Sequence, residues 1–205
     1  MGCRLVSTVW YLWALTGAAL SAPGPKDPPA IPDYYPTTVG TRLVYDLDNG
    51  DSELALRIVA VEEKGAEKVV TVEQRGATRW LAFEQISISE KGLREVEHFG
   101  QVSEPWYLLK FPIKAGDKWD VEWSQKPGID GKKGTVTVID EEEVTVPAGK
   151  FKAVKVERVY TEENGKALDK PFKVSVWFAK GIGRVKVVPT EGSKLALKSF
   201  VPGGR

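Results

Sequence analysis

Three observations predict that this 205-residue chain is all-β, built as one strongly curved antiparallel sheet. Apolar residues recur with a period close to two. Leu54, Leu56, Ile58 and Ala60 alternate with Ala55, Arg57, Val59 and Val61, and Trp119, Val121 and Trp123 alternate with Asp120 and Glu122. The segments are joined by hairpin chemistry, as in Asp48-Asn49-Gly50-Asp51 and Glu163-Asn164-Gly165, where Asn-Gly pairs suit the twist of antiparallel strands. Some strands also change phase midway. Leu81 and Phe83 fall on one parity and Ile86 and Ile88 on the other, and Phe151 and Ala153 give way to Val154 and Val156. Each switch implies a bulge or bend, and repeated bends curve a sheet. A half-barrel or open barrel is therefore expected, with a flat β-sandwich as the alternative.

Taken in order, residues 1–21 read as an export signal. Arg4 supplies the charge, residues 5–15 the apolar core, and Ala19 and Ser21 a small-residue cleavage pair, so the mature chain is expected to start near Ala22. Residues 22–38 form a leader with six of the thirteen prolines, too proline-rich to join a ladder. Its aromatic end, Asp33-Tyr34-Tyr35-Pro36, is suited to docking on the domain. Residues 39–205 form a single β domain. Strands are expected at 41–47, 53–62, 67–75, 79–89, 93–99, 105–111 and 118–124, then at 133–140, 142–147, 150–160, 171–179, 183–190 and 194–201. Glu63-Lys64-Gly65, Glu90-Lys91-Gly92 and residues 128–131 supply further turns. The acidic run Asp140-Glu141-Glu142-Glu143 reads as a solvated turn. Pro147-Ala148-Gly149 reads as a tight reversal, and Gly181-Ile182-Gly183 as a sharp connection with Ile182 plugging the core.

Composition narrows the function. Without the signal, 28 basic residues face 28 acidic ones, interleaved along the chain, so a nucleic-acid partner is not expected. No later apolar run is long enough for a membrane span. Cys3 precedes the apolar stretch, whereas a bacterial lipoprotein cysteine follows it. The mature chain would have no thiol and one histidine, His98, which argues against a cysteine nucleophile, a serine triad or a zinc site. Asp46, Asp48, Asn49 and Asp51 place oxygens at alternate positions but lack the Glu that completes a calcium loop. No metal or cofactor is expected.

Residues 108–119 (LLKFPIKAGDKW), 143–153 (EVTVPAGKFKA) and 176–186 (VWFAKGIGRVK) come in an order that resembles an uncharacterised family of exported bacterial β-domains, some labelled TapB-like. Tyr35-Pro36 and residues 40–45 (GTRLVY) belong to the same series. Leu43 stands where tryptophan is expected, and Phe178 where tyrosine is common. The resemblance spans about residues 34–190. It implies an exported β-domain and transfers no catalytic residue.

The aromatic residues are the remaining candidates for chemistry. Trp177, Trp119, Trp123 and Trp106 sit in expected strands, and tryptophan both fills cores and stacks on sugars or apolar ligands. Trp177, with polar Ser175 and Lys173 on its face, is the one expected to reach a rim. The expected function is a non-catalytic exported domain, periplasmic, in the cell envelope or secreted. Its concave face would take a lipid or other apolar ligand, a glycan or an envelope protein. The alternatives are a carboxylate-dependent hydrolase and a structural envelope component.

Overall fold

The computed structural model describes residues 33–48, 50, 52–123 and 131–204. The expected signal and most of the leader lie outside the described residues. Twelve strands follow one another: β1 (Arg42–Leu47), β2 (Ser52–Lys64), β3 (Glu67–Arg75), β4 (Trp80–Ser89), β5 (Gly92–His98) and β6 (Gln101–Lys110), then β7 (Lys118–Trp123), β8 (Lys132–Val146), β9 (Gly149–Glu163), β10 (Lys166–Ala179), β11 (Gly183–Pro189) and β12 (Leu195–Val201). They form one antiparallel sheet in the order β6-β5-β4-β3-β2-β1-β12-β11-β10-β9-β8-β7. The sheet curls into a nearly closed barrel with one unsealed seam, where β6 and β7 meet without a ladder. Trp119 Nε1 bridges that seam by donating to the Tyr107 carbonyl at 3.1 Å. The open-barrel expectation holds, and the sandwich alternative does not.

The curvature comes from bulges, as the phase switches implied. Across β3 and β4, Val72 pairs with Glu84 and Glu73 with Ala82, leaving Phe83 as the extra residue between the two parities. At the second switch the irregularity lies on the neighbouring strand. Val138 pairs with Val156 and Asp140 with Lys155, so Ile139 of β8 is extra, while β9 stays in register with β10. Further register shifts fall at Val44/Tyr45, Ile58/Ala60 and Trp177/Phe178. Each one adds bend and twist, which is what a sheet needs to close.

One expected boundary is corrected. The acidic run 140–143 is not a turn but part of β8, continuous from Lys132 to Val146. The charges are tolerated because β9 answers them across the ladder: Lys152 lies 3.0 Å from Glu141 and Lys150 3.1 Å from Glu143. β10 also begins earlier than expected. Its pairing with β9 breaks between Ala167 and Phe172, around Pro171, which has no N–H to give a ladder.

One end of the barrel is floored. β11 and β12 pair at Lys186–Ala196 and Val187–Leu195. Beyond these the Leu197 carbonyl turns to another donor, Ala148 N at 2.9 Å, from the β8–β9 turn. The end of the leader completes the floor. The Asp33 carbonyl accepts from Gly181 N at 2.6 Å, and Tyr34 and Tyr35 are buried in the core. Gly183 has φ of +90°, and a Cβ there would stand 3.3 Å from the Tyr35 ring, so this glycine serves Tyr35 as well as the turn. Ile182 packs against the core half-buried.

Candidate functional site

Above the floor a polar cluster sits within the apolar core. Glu84 on β4, 1% exposed, lies inside an otherwise apolar row with Ile86 and Ile88. Both of its oxygens accept from Arg184 Nη2, and Oε1 also accepts from the Tyr35 hydroxyl at 2.8 Å. The Tyr45 hydroxyl donates to the Arg184 carbonyl at 2.8 Å. Burial pulls the Arg184 pKa down, but the Glu84 carboxylate outweighs it and holds the guanidinium above its ordinary value. Burial raises the hydroxyls of Tyr35 and Tyr45. This cluster is closed: each charge has its partner.

Beyond Arg184, toward the opposite end, lies a cavity of about 260 Å³ walled by Trp106, Tyr160, Phe172 and Val174, with Glu95 and Arg158 among its polar groups. The sheet register explains the assembly. Trp119, Val136, Arg158 and Val174 share one cross-strand row, and Val121, Gly134, Tyr160 and Phe172 the next. At Gly134 a Cβ would come within 2.0 Å of the Val159 carbonyl, so only glycine lets β8 and β9 approach there. Tyr160 and Phe172 stack at 6.1 Å. Lys132 and His98, the latter at the end of β5, form a more exposed rim.

Within this cavity the described buried polar atoms are not all hydrogen-bonded. Arg158 is 8% exposed, with its guanidinium 4.7 Å from the Trp106 ring centroid and beside the Tyr160 hydroxyl. Among the described residues its Nε and Nη2 make no hydrogen bond. Burial draws its pKa down. Glu95, 3% exposed, accepts a long 3.4 Å bond from Trp106 Nε1 and lies 3.5 Å from His98 Nδ1. Burial first, and the Glu84 charge second, raise its pKa and favour the neutral acid.

The four tryptophans singled out in the sequence separate. Trp106 lines the cavity. Trp119 faces inward but is spent on the seam bond. Trp123 ends β7 opposite Lys132. Trp177 lies on the opposite face from Val174 and Val176. It is 7% exposed, roofed by Lys155 and Lys186 at 5.0 and 5.3 Å from its ring, and its Nε1 donates to Glu142 at 2.6 Å. The polar site residues Arg158, Glu95 and Glu84 were missed. Their signal was a charged residue on the apolar parity of a strand, as in Val154-Val156-Arg158-Tyr160.

A larger hollow of about 450 Å³, among Asp120, Glu122, Lys133 and Thr135, includes none of the buried charged residues. Among the described residues no cluster of metal-binding side chains occurs, and no helix is long and apolar enough to cross a membrane.

No family model and no curated protein matches the chain. Two solved structures share its fold. One is a candidate exported protein with a YmcC-like fold from Bacteroides fragilis, with a TM-score of 0.55 and 13% identity over 83% of this chain and 99% of that one. The other is a candidate lipoprotein from Parabacteroides distasonis, with a TM-score of 0.52 and 15% identity over the same shares. At such identity the likeness is one of fold.

Proposed function

We propose that this chain is an exported, non-catalytic binding domain of the cell envelope or secreted space, and that its ligand is held inside the barrel. The observation that carries this reading is the interior cavity, where the buried Arg158 guanidinium lies against an aromatic wall. Export is supported by the signal pattern of residues 1–21 and by the kind of protein that shares the fold. The hydrolase alternative draws support from Glu95, a buried carboxyl with a raised pKa. Among the described residues Glu95 is the one carboxyl that lines the cavity, since Glu84 is enclosed by Arg184 and Tyr35.

The test is a panel of small organic ligands followed through the Trp106 indole N–H resonance of the mature chain. Saturable shifts that disappear in the cavity-filling variant Phe172→Trp and survive in Trp177→Ala are expected. Shifts insensitive to Phe172→Trp, or lost only in Trp177→Ala, would move the site to the outer surface. Turnover of aryl glycosides abolished by Glu95→Gln would put an enzyme first. Protein recovered outside the cytoplasm should begin near Ala22; an intact Met1 on that material would overturn the export reading.

A further inference from the structure

Resting on this reading of the cavity, we propose that its occupant is an unbranched alkyl chain, as in a fatty acid or other single-tailed amphiphile, and that Phe99 covers the chain where it leaves the barrel. A second, smaller cavity of about 50 Å³ adjoins the first. Arg184 lines both, and the Phe83 ring in the smaller lies 5.8 Å from the His98 ring in the larger. Leu54, Val187 and Leu195, half-buried, give the smaller one an aliphatic wall. Its two polar side chains are already bonded: the Tyr45 hydroxyl donates to the Arg184 carbonyl, and Arg184 Nη2 to Glu84. A glycan or a peptide would bring hydroxyls or amides that the aliphatic wall cannot pair. An occupant that buries apolar surface in both cavities must be narrow and flexible, and an alkyl chain is both.

The hairpin beside the two cavities breaks a local rule. His98 pairs with Gln101, so Phe99 and Gly100 are the two turn residues, with φ of +48° and +74°. Glu163 pairs with Lys166 across an equivalent turn, where Asn164 and Gly165 have φ of +53° and +72°. Asparagine accepts that conformation readily, whereas a bulky residue at positive φ is a genuine outlier. Folding gains little in return, because Phe99 stays 51% exposed. Its ring stands edge-on to His98 at 4.3 Å and to Phe83 at 5.6 Å, so it is one side chain away from each cavity. A strained, exposed aromatic at this place is accounted for by a bound chain: the ring covers apolar length that would otherwise face water.

The experiment titrates the mature chain with octanoate, decanoate and dodecanoate below their micelle concentrations, and with the compact ring acid adamantane-1-carboxylate. The Trp106 indole resonance reports the larger cavity, and the Leu54 and Leu195 methyl resonances the smaller. Affinity should rise with length, by about fourfold for each added methylene that is buried. The ring acid should leave the leucine methyls unshifted. Phe99→Asn should weaken dodecanoate by about tenfold, the share of a phenyl ring half covered by the chain, and should hold or raise Tm, since it installs the residue used at the equivalent turn. A Tm lower by more than about 2–4 °C, or unchanged affinity, would show that the ring serves packing and overturn its assignment. Affinity independent of length, with Trp106 still shifting, would overturn the alkyl chain and leave the cavity reading intact. Sedimentation with phosphatidylglycerol–phosphatidylcholine vesicles that depends on Phe99, without leucine shifts from the monomeric acids, would make Phe99 a membrane contact and overturn the placement of the chain inside the barrel. If no probe shifts Trp106, the inference and the cavity reading fall together. The length series is measured on the unaltered protein, so it decides the chain even where Phe99→Asn does not fold.

Discussion

Replacing Glu84 by glutamine keeps the size and shape of the side chain and removes one charge from the closed half of the interior. The Glu84 side chain is fully buried, while Arg184 keeps 19% of its side-chain exposure. Breaking a buried ion pair from one side costs roughly 3–5 kcal/mol, most of it from the charge left behind. Partial access of Arg184 to water places the expected loss at the lower end, about 3 kcal/mol. For a domain of this size one kcal/mol corresponds to roughly 2–4 °C, so Tm should fall by about 10 °C. Urea unfolding followed by tryptophan fluorescence and far-ultraviolet circular dichroism measures it, with coincident transitions as the check on two-state behaviour. The combined Tyr35→Phe, Glu84→Met and Arg184→Met variant removes every polar partner at once. It should lie closer to the unaltered protein than Glu84→Gln does, because no charge is stranded. A Glu84→Gln midpoint within about 1 kcal/mol of the parent, or a triple variant worse than the single, would refute the view that the cost lies in an orphaned charge.

Gly149 has φ of +130° at the start of β9, with no atom within 4 Å of an added Cβ, so Gly149→Val should cost more than ~1 kcal/mol in urea unfolding from backbone strain alone. An unchanged midpoint would show that the reversal accepts any residue. Glu95 faces Glu84, His98, Arg158, Arg184 and Tyr160, and its pKa is raised in the folded state. The folded protein then holds a proton that the unfolded chain has released, so this group's contribution to stability is full below the unfolded carboxylate pKa and is lost as pH rises through the folded value. Glu95→Gln should therefore gain stability over the parent near neutrality, with the difference closing toward acid. A difference that widens toward acid would show the opposite sign. Asp48 and Glu67, whose carboxyls are lowered, slope the other way in both proteins and cancel from the comparison.

The barrel was legible because its determinants are local. Asn164-Gly165 sets a hairpin, and the parity jump between Phe83 and Ile86 marks the Phe83 bulge that the ladder shows. The continuity of β8 was not legible, since four consecutive acidic residues look like a turn until Lys150 and Lys152 are known to lie across the ladder. The tryptophans show the same limit. The sequence favours Trp177 over Trp106 for a rim, yet only the rows formed by distant strands show Trp177 under Lys155 and Lys186 and Trp106 against Arg158. Arg158 carried a weaker local signal, a cation on the apolar parity of β9.

That commitment ties the N-terminal segment to the cavity. Tyr35 could not be read as more than an aromatic near the end of a proline-rich stretch, yet its hydroxyl donates to Glu84, Glu84 holds Arg184, and Arg184 stands in the cavity wall. Gly183 and the Gly181–Asp33 bond keep the ring in place at the floor. A fully apolar interior of the same volume would fold at less electrostatic cost. What the polar interior adds is a division of charges: Arg184 is neutralised from the floor side by Glu84, and Arg158 is held against Trp106 in the cavity wall. The floor thus does more than cap the barrel. By committing Glu84 to Arg184, it keeps that carboxylate in the closed half of the interior and leaves Glu95 as the carboxyl that faces Arg158 in the cavity wall.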